Sequence, residues 1–188
     1  MVAEYDHTLL KRCGDDVFIS AAVEIRRPHL VSVGDHVAID TGFYCTVAAE
    51  IGDYIHIGPY VTVIGGGEGL LRMAAFTTIA AGCRIACSSD AHLGAGLVGP
   101  TIPAEFRDDV TFGEVTLEVF ASLGTNVVVH PGVTLAVGSV VGSCSLVTHN
   151  TEPWTIYHGV PARPVRARPS QRMLAAARSL GYTEFETS

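Results

Sequence analysis

The chain has 188 residues, of which 48% are hydrophobic and 16% charged, and these proportions suit one globular domain and exclude wholesale disorder. Nineteen acidic residues against twelve basic ones give a formal net charge of −7, which argues against a general nucleic-acid-binding protein. No apolar run approaches the roughly 18 residues that span a bilayer, and the N-terminus lacks an apolar signal core, so we expect a cytoplasmic protein without membrane insertion. The five cysteines show no Cys-x-x-Cys spacing and indicate reduced thiols rather than a disulfide frame.

An apolar residue recurs every six positions through most of the chain. A period of six does not fit an α-helix with 3.6 residues per turn. Short strands that turn every six residues do fit it, and three of them make one coil of about 18 residues, so the repeat predicts an all-β structure, a parallel β-helix of just under six coils. The apolar positions of the repeat are Ile19, Ile25, Val33, Ile39, Cys45, Ile51, Ile57, Val63, Met73, Ile79, Ile85, Leu117, Leu123, Val129, Leu135, Val141 and Val147.

We predict a short helix within the first dozen residues, before the repeat begins. The repeat itself is interrupted three times. The phase slips by two residues between Val31 and Val33, and a glycine-rich insertion occupies 65–69. The segment 88–114 fits no hexad and contains glycines and prolines, which predicts a protruding functional loop.

Beyond the repeat, the C-terminal segment predicts one short α-helix. Pro169 and Ser170 are typical of a helix start and Gly181 of a helix end, so we expect a helix over 170–180 that covers an edge of the coil. The predicted domains are a β-helix over 1–168 with its protruding loop, and a helix and tail over 169–188. The residues predicted to share one face of this helix are Met173, Ala177 and Leu180.

Several segments resemble the hexapeptide-repeat acyltransferases, namely VFISAAVEI, VSVGDHVAID, IGDYIHIGPYVTVIGGG, IACSSDAHLGAGLVGPTIPAEFR and PWTIYHGVPARPVR. The resemblance covers roughly 14–168 and is greatest to the sugar O- and N-acetyltransferases of surface-polysaccharide gene clusters. It implies a left-handed coil, which the period alone does not show. It also implies a homotrimer with active sites in the clefts between neighbouring prisms, acetyl-CoA as donor, no required metal ion, and a histidine general base.

Three residues are candidates for the catalytic site, and the choice between the two histidines stays open. His56 ends a hexad, which predicts an outward-facing prism corner, and maltose-type relatives carry their base at a comparable corner. His92 lies in the loop, where galactoside-type relatives carry theirs, although closer relatives have Ser-x-Asp-Asp-Tyr there. The hexad register places Asp90 at the equivalent corner, where it would orient a histidine of a neighbouring chain.

The donor CoA carries phosphates, which need cations and free backbone N–H groups. Five arginines and no acidic residue lie within 153–183. Arg163 and Arg166 are the expected phosphate contacts, because Pro161-Ala162-Arg163 matches a segment of the family. The pantetheine arm is expected to hydrogen-bond to the corner backbone at residues small enough for close approach. The predicted donor-binding residues are Ser122, Gly124, Ser143, Pro161, Ala162, Arg163 and Arg166.

These observations together predict an acetyl-CoA-dependent transferase that acts on a hydroxyl or amino group of a sugar or nucleotide-linked sugar. A non-catalytic β-helix scaffold is the alternative. A zinc carbonic anhydrase of the same fold needs two histidines about five residues apart on one chain, and the two histidines nearest each other in this sequence, His29 and His36, do not have that spacing. The acceptor, the choice between O- and N-transfer and the length of the acyl group stay open.

Overall fold

A computed structural model of the chain describes residues 3–183, and most of them form a parallel β-solenoid with three strands per coil. We call its three sheets face A, face B and face C, in the order in which the chain enters them. Face A contains Arg12–Cys13, Val31–Val33, Ala48–Ile51, Leu70–Met73, Val115–Leu117 and Thr134–Leu135. Face B contains Phe18–Ile19, Ala38–Ile39, His56–Ile57, Thr78–Ile79, Ser122–Leu123, Val140–Val141, Thr155–His158 and the antiparallel Arg163–Ala167. Face C contains Glu24–Ile25, Tyr44–Cys45, Thr62–Ile64, Arg84–Ala86, Val128–Val129 and Leu146–Val147.

The register of the strands confirms the six-residue repeat. Ile39 pairs with Ile57 on face B, and Cys45 pairs with Val63 on face C, so an uninterrupted coil contains three hexads. All the predicted apolar positions are buried and form one continuous core. Because every second residue of a strand points inward and each strand is short, each hexad supplies one large core side chain from its strand. The parallel β-helix predicted from the period is therefore confirmed.

All three interruptions of the repeat lie at the same corner, where the chain passes from face C to face A. The two-residue slip corresponds to the short 3-10 helix Pro28–Leu30, and the glycine-rich insertion contains the 3-10 helix Gly66–Glu68. The long loop leaves the prism as an antiparallel hairpin of Ser88–Asp90 and Val110–Phe112, with the 3-10 helix Ala104–Phe106 between these strands. Insertions at one corner leave the registers of the other two corners unchanged.

The corner between face A and face B carries a column of stacked rings. Successive ring centroids are 4.5–5.8 Å apart, and each of these residues has a positive φ angle. Stacking at this spacing is favourable and offsets the cost of the left-handed backbone. The rings of the column belong to His36, Tyr54, Phe76, Phe120 and Trp154.

The C-terminal helix spans Gln171–Ser179 and ends before Gly181, as predicted. On the face predicted to carry Met173, Ala177 and Leu180, Ala177 is buried, Met173 is half-buried and Leu180 is 53% exposed. The predicted position of the helix over an edge of the coil is not observed. Tyr182, just after it, packs edge-on against two rings of the column and donates a hydrogen bond from its hydroxyl to Asp53 Oδ2 at 2.6 Å, which places the helix along the side of the prism. This difference arises because the aromatic column offers an apolar surface beside face A.

The N-terminal segment contains a single turn of 3-10 helix, His7–Leu9, where a short helix was predicted. Asp6 accepts the backbone N–H of Thr8 and so begins this turn. Among residues 3–183, no helix has the length and apolar composition needed to cross a membrane.

Candidate active site

His56 lies on a strand of face B, with its side chain pointing away from the core and 53% exposed. The predicted position at a prism corner is therefore wrong, although the predicted outward direction is correct. The hexad boundary was misplaced because the strand of this coil begins at His56 itself, one residue before the inward-facing Ile57.

The His56 ring is held by Asp40, which sequence reasoning missed. His56 Nε2 lies 2.9 Å from Asp40 Oδ2. Because an ionised carboxylate can only accept, Nε2 carries the proton and the lone pair of a neutral ring is on Nδ1. A ring fixed in this way can take a proton at Nδ1 and share the resulting charge with the carboxylate. The two residues are 16 positions apart in the sequence, two fewer than a full coil. They therefore do not occupy equivalent positions of the six-residue repeat, and the repeat alone does not predict that they are in contact.

Ser122, a predicted pantetheine contact, lies in the same outward column of face B as His56. Thr78 pairs with His56 on one side and with Ser122 on the other. Neighbouring strands lie about 4.8 Å apart, so His56 and Ser122 are roughly 10 Å apart along the face. The structure therefore brings a candidate base and a candidate donor contact to one surface.

Gly124 and Ser143 lie at the corner between face B and face C, next to Ser122. A Cβ added at Gly124 would lie 2.7 Å from the backbone N of Ser143, so glycine is needed here for the close approach of successive coils. This reason differs from the predicted one, which was space for a ligand. Ser143 is exposed at this corner, and Cys144 beside it is also exposed.

Pro161 and Ala162 form the turn between the last two strands of face B, after a cis peptide bond between Val160 and Pro161. The Ala162 N–H donates to the Leu146 carbonyl at 2.7 Å, which attaches this turn to the last strand of face C. The turn therefore adjoins the same corner as Ser143.

Arg163 and Arg166 follow this turn on the exposed edge strand of face B. Arg163 Nη1 donates to the Ala162 carbonyl at 3.1 Å. The two guanidinium groups thus lie at an exposed edge of face B, in reach of solvent anions.

The loop residues His92 and Asp90 lie elsewhere. Asp90 ends the first strand of the hairpin, paired with Val110, so its predicted position at a prism corner is wrong because the chain leaves the prism two residues earlier. His92 is exposed and has a φ of +54°. Both residues project from the corner between face C and face A, which is opposite face B. Within one chain, the structure therefore does not bring them to His56.

The loop beyond the hairpin is organised by Asp108, which is only 4% exposed. Its Oδ2 accepts the backbone N–H groups of Leu93 and Gly94, at 3.0 and 3.2 Å, and its Oδ1 accepts that of Asp109 at 2.8 Å. No repeat or motif marked this residue, because its partners are set by the path of an irregular segment. Asp108 fixes the position of the chain immediately after His92.

A metal centre receives no support from the geometry. In the stretch 3–183, no cluster of three or more histidine, cysteine, aspartate or glutamate side chains is placed to hold a metal ion.

Comparison with known proteins adds independent information, although no family model matches the chain. The dTDP-4-amino-4,6-dideoxy-D-glucose acyltransferase of Escherichia coli is 29% identical over 169 residues, which cover 87% of this chain and 85% of that protein. A hexapeptide-repeat acetyltransferase of Vibrio cholerae, at 20% identity and a TM-score of 0.56, shares the fold.

Crystal structures of AntD, an N-acyltransferase from Bacillus cereus, are more similar. AntD in complex with dTDP and 3-hydroxybutyryl-CoA has a TM-score of 0.89 and 29% identity, covering 96% of this chain and 98% of AntD. A serine-to-alanine variant of AntD, bound to dTDP-4-amino-4,6-dideoxyglucose and coenzyme A, is 30% identical, with coverage of 96% and 99% and a TM-score of 0.89. Because the similarity extends over nearly the whole of both chains and the strands follow the six-residue repeat, this chain belongs to the hexapeptide-repeat β-helix acyltransferases.

Proposed function

We propose that the chain transfers an acetyl group from acetyl-CoA to the amino group of a dTDP-linked amino sugar. The choice of an amine and of dTDP follows the relatives, since the E. coli relative is named for such a sugar and AntD binds one. The choice of acetyl follows the sequence resemblance, while AntD also binds a four-carbon acyl-CoA.

The observation that carries the proposal is the placement of His56, with its Asp40 partner, on the same face as the candidate donor contacts. In the proposed reaction, the sugar amine attacks the thioester carbonyl carbon, a C–N bond forms and the C–S bond breaks. His56 Nδ1 takes the proton that the amine loses and returns it to the departing CoA thiolate. A backbone N–H group at the corner between face B and face C would stabilise the oxyanion of the tetrahedral intermediate.

The acceptor is proposed to bind between chains of a homotrimer. The 88–114 loop projects from the corner opposite face B, so it can reach the His56 surface only on a neighbouring chain. Its exposed apolar side chains agree with such a contact, since Leu93 is 83% exposed, Leu97 59% and Phe106 59%. In this arrangement, His92 and Asp90 of one chain would cover the acceptor bound at His56 of another.

The proposed reaction is tested by measuring thiol release when acetyl-CoA and dTDP-4-amino-4,6-dideoxyglucose are mixed with the protein. We expect release of CoA and an acetylated sugar nucleotide. The control acceptor is dTDP-glucose, which offers hydroxyl groups only. Acetylation of dTDP-glucose at an equal rate would contradict the amine and favour O-transfer, while no release with either acceptor would support a scaffold instead.

The donor position is tested by alkylation of Cys144, which lies beside Ser143 at the predicted pantetheine corner. We expect the other thiols to react more slowly, because burial raises the pKa of Cys45 and of Cys87 to about 11 and also raises the pKa of Cys83 and of Cys13. Desulfo-CoA, which has no thiol of its own, should protect Cys144 from maleimide, and free dTDP serves as the control ligand. An alkylation rate that saturating desulfo-CoA leaves unchanged would remove the donor from this corner.

A further inference from the structure

Thr78 occupies a particular position in the proposed site. It lies on face B in the strand Thr78–Ile79, with its side chain pointing outward and half-buried. Its Cα partners on the two neighbouring strands are His56 and Ser122. Thr78 is thus the one residue of this outward column that separates the candidate base from the candidate pantetheine contact.

The reacting thioester must lie over this residue if the donor follows the proposed path. The pantetheine arm runs along Ser122, and the thioester carbonyl must approach an amine whose proton passes to His56. These two contacts are roughly 10 Å apart, with one strand between them. The acyl group extends beyond the sulfur in the direction of the arm, and its carbons therefore pass over the side chain of Thr78.

We propose that the branched side chain of Thr78 limits the length of the acyl group, so that Thr78 is a specificity-determining residue of the donor site. This inference rests on the proposed function. A β-branched side chain is fixed at χ1, so it forms a firm wall and does not turn aside to admit a longer chain. Loss of its two γ atoms would open space in the column for additional carbons of the acyl group.

The test compares acetyl-CoA with butyryl-CoA, using dTDP-4-amino-4,6-dideoxyglucose as acceptor, in wild-type protein and in Thr78→Ala and Thr78→Val variants. The measured quantity is the ratio of kcat/KM for acetyl-CoA to kcat/KM for butyryl-CoA. We expect Thr78→Ala to lower this ratio about tenfold, the discrimination that a methylene-sized change of volume supplies in a pocket. Thr78→Val keeps the shape and removes only the hydroxyl, so its ratio should stay within about twofold of the wild-type value.

Thr134→Ala is the matched control, because Thr134 occupies the same outward position in a two-residue strand of face A. Its ratio should equal that of the wild type, and circular dichroism should show that every variant keeps the β-helix. An unchanged ratio in an active Thr78→Ala protein would overturn the role of Thr78 and leave the proposed function intact. A low ratio in Thr78→Val as well would also overturn it, since the hydroxyl and not the shape would then decide. Failure of the wild type to transfer either acyl group would overturn the proposed function, and this inference with it.

Discussion

The proposed chemistry at His56 depends on one ring nitrogen. Asp40 holds Nε2, so only Nδ1 is available to take a proton. A general base contributes typically 10²–10⁴-fold to the rate. We therefore expect His56→Ala to lower kcat at least about a hundredfold without changing the affinity for acetyl-CoA, and His56→Asn to be nearly as slow because it lacks basicity. Stopped-flow thiol release and equilibrium binding of acetyl-CoA measure the two quantities.

Asp40→Asn provides the companion variant, since it leaves the ring in place but removes the charge that stabilises its protonated form. It should lower kcat, because the carboxylate no longer stabilises the charge of the ring that has taken the proton, while Asp16→Asn serves as the control. Asp16 forms a similar contact with His36, at 2.8 Å, at the corner between face A and face B, away from the proposed site.

His92→Ala should act mainly on the KM of the acceptor. A fully active His56→Asn enzyme would exclude the assignment, and an inactive His92→Ala enzyme would move the role to the loop.

At the level of elements, the 88–114 loop is held by one buried carboxylate rather than by an apolar core of its own. Asp108→Ala would leave the N–H groups of Leu93, Gly94 and Asp109 without their acceptor. We expect the KM for the acceptor to rise about tenfold or more, with a small change in Tm, because the loop lies outside the prism. The control is Asp109→Ala, which removes an exposed neighbouring carboxylate. A large fall in Tm would show instead that the loop supports the β-helix.

The C-terminal helix shows how packing overrides a local pattern. Its start and end agree with Pro169, Ser170 and Gly181, yet Leu180 is exposed. Tyr182 contacts the aromatic column instead, and burial together with its hydrogen bond to Asp53 raises the pKa of its phenol. Tyr182, three residues beyond the last helical residue, therefore contributes to the attachment of the helix, and no helical period includes it.

For the whole molecule, the proposed function places the loop of one chain at face B of a neighbouring chain, because the loop projects from the corner opposite face B of its own chain. We expect light scattering to give a mass near three times the 19.8 kDa of one chain. Leu93→Glu should weaken the assembly, because it places a charge on an 83% exposed apolar side chain that we assign to the contact between chains. A monomeric wild-type protein that is fully active would disprove both the trimer and the shared site.

The sequence alone determined the solenoid and its core, because one inward-facing apolar side chain recurs in every hexad. Which side chain of a strand faces inward follows from the alternation along that strand and does not depend on the neighbouring coils. The sequence also located all three interruptions. Only the tertiary structure showed that these interruptions share one corner, that Asp40 holds His56, and that Thr78 separates His56 from Ser122. These contacts join residues of different coils. Because inserted residues change the length of a coil, the sequence does not show which residues of neighbouring coils lie side by side, and the contacts become visible only in the structure.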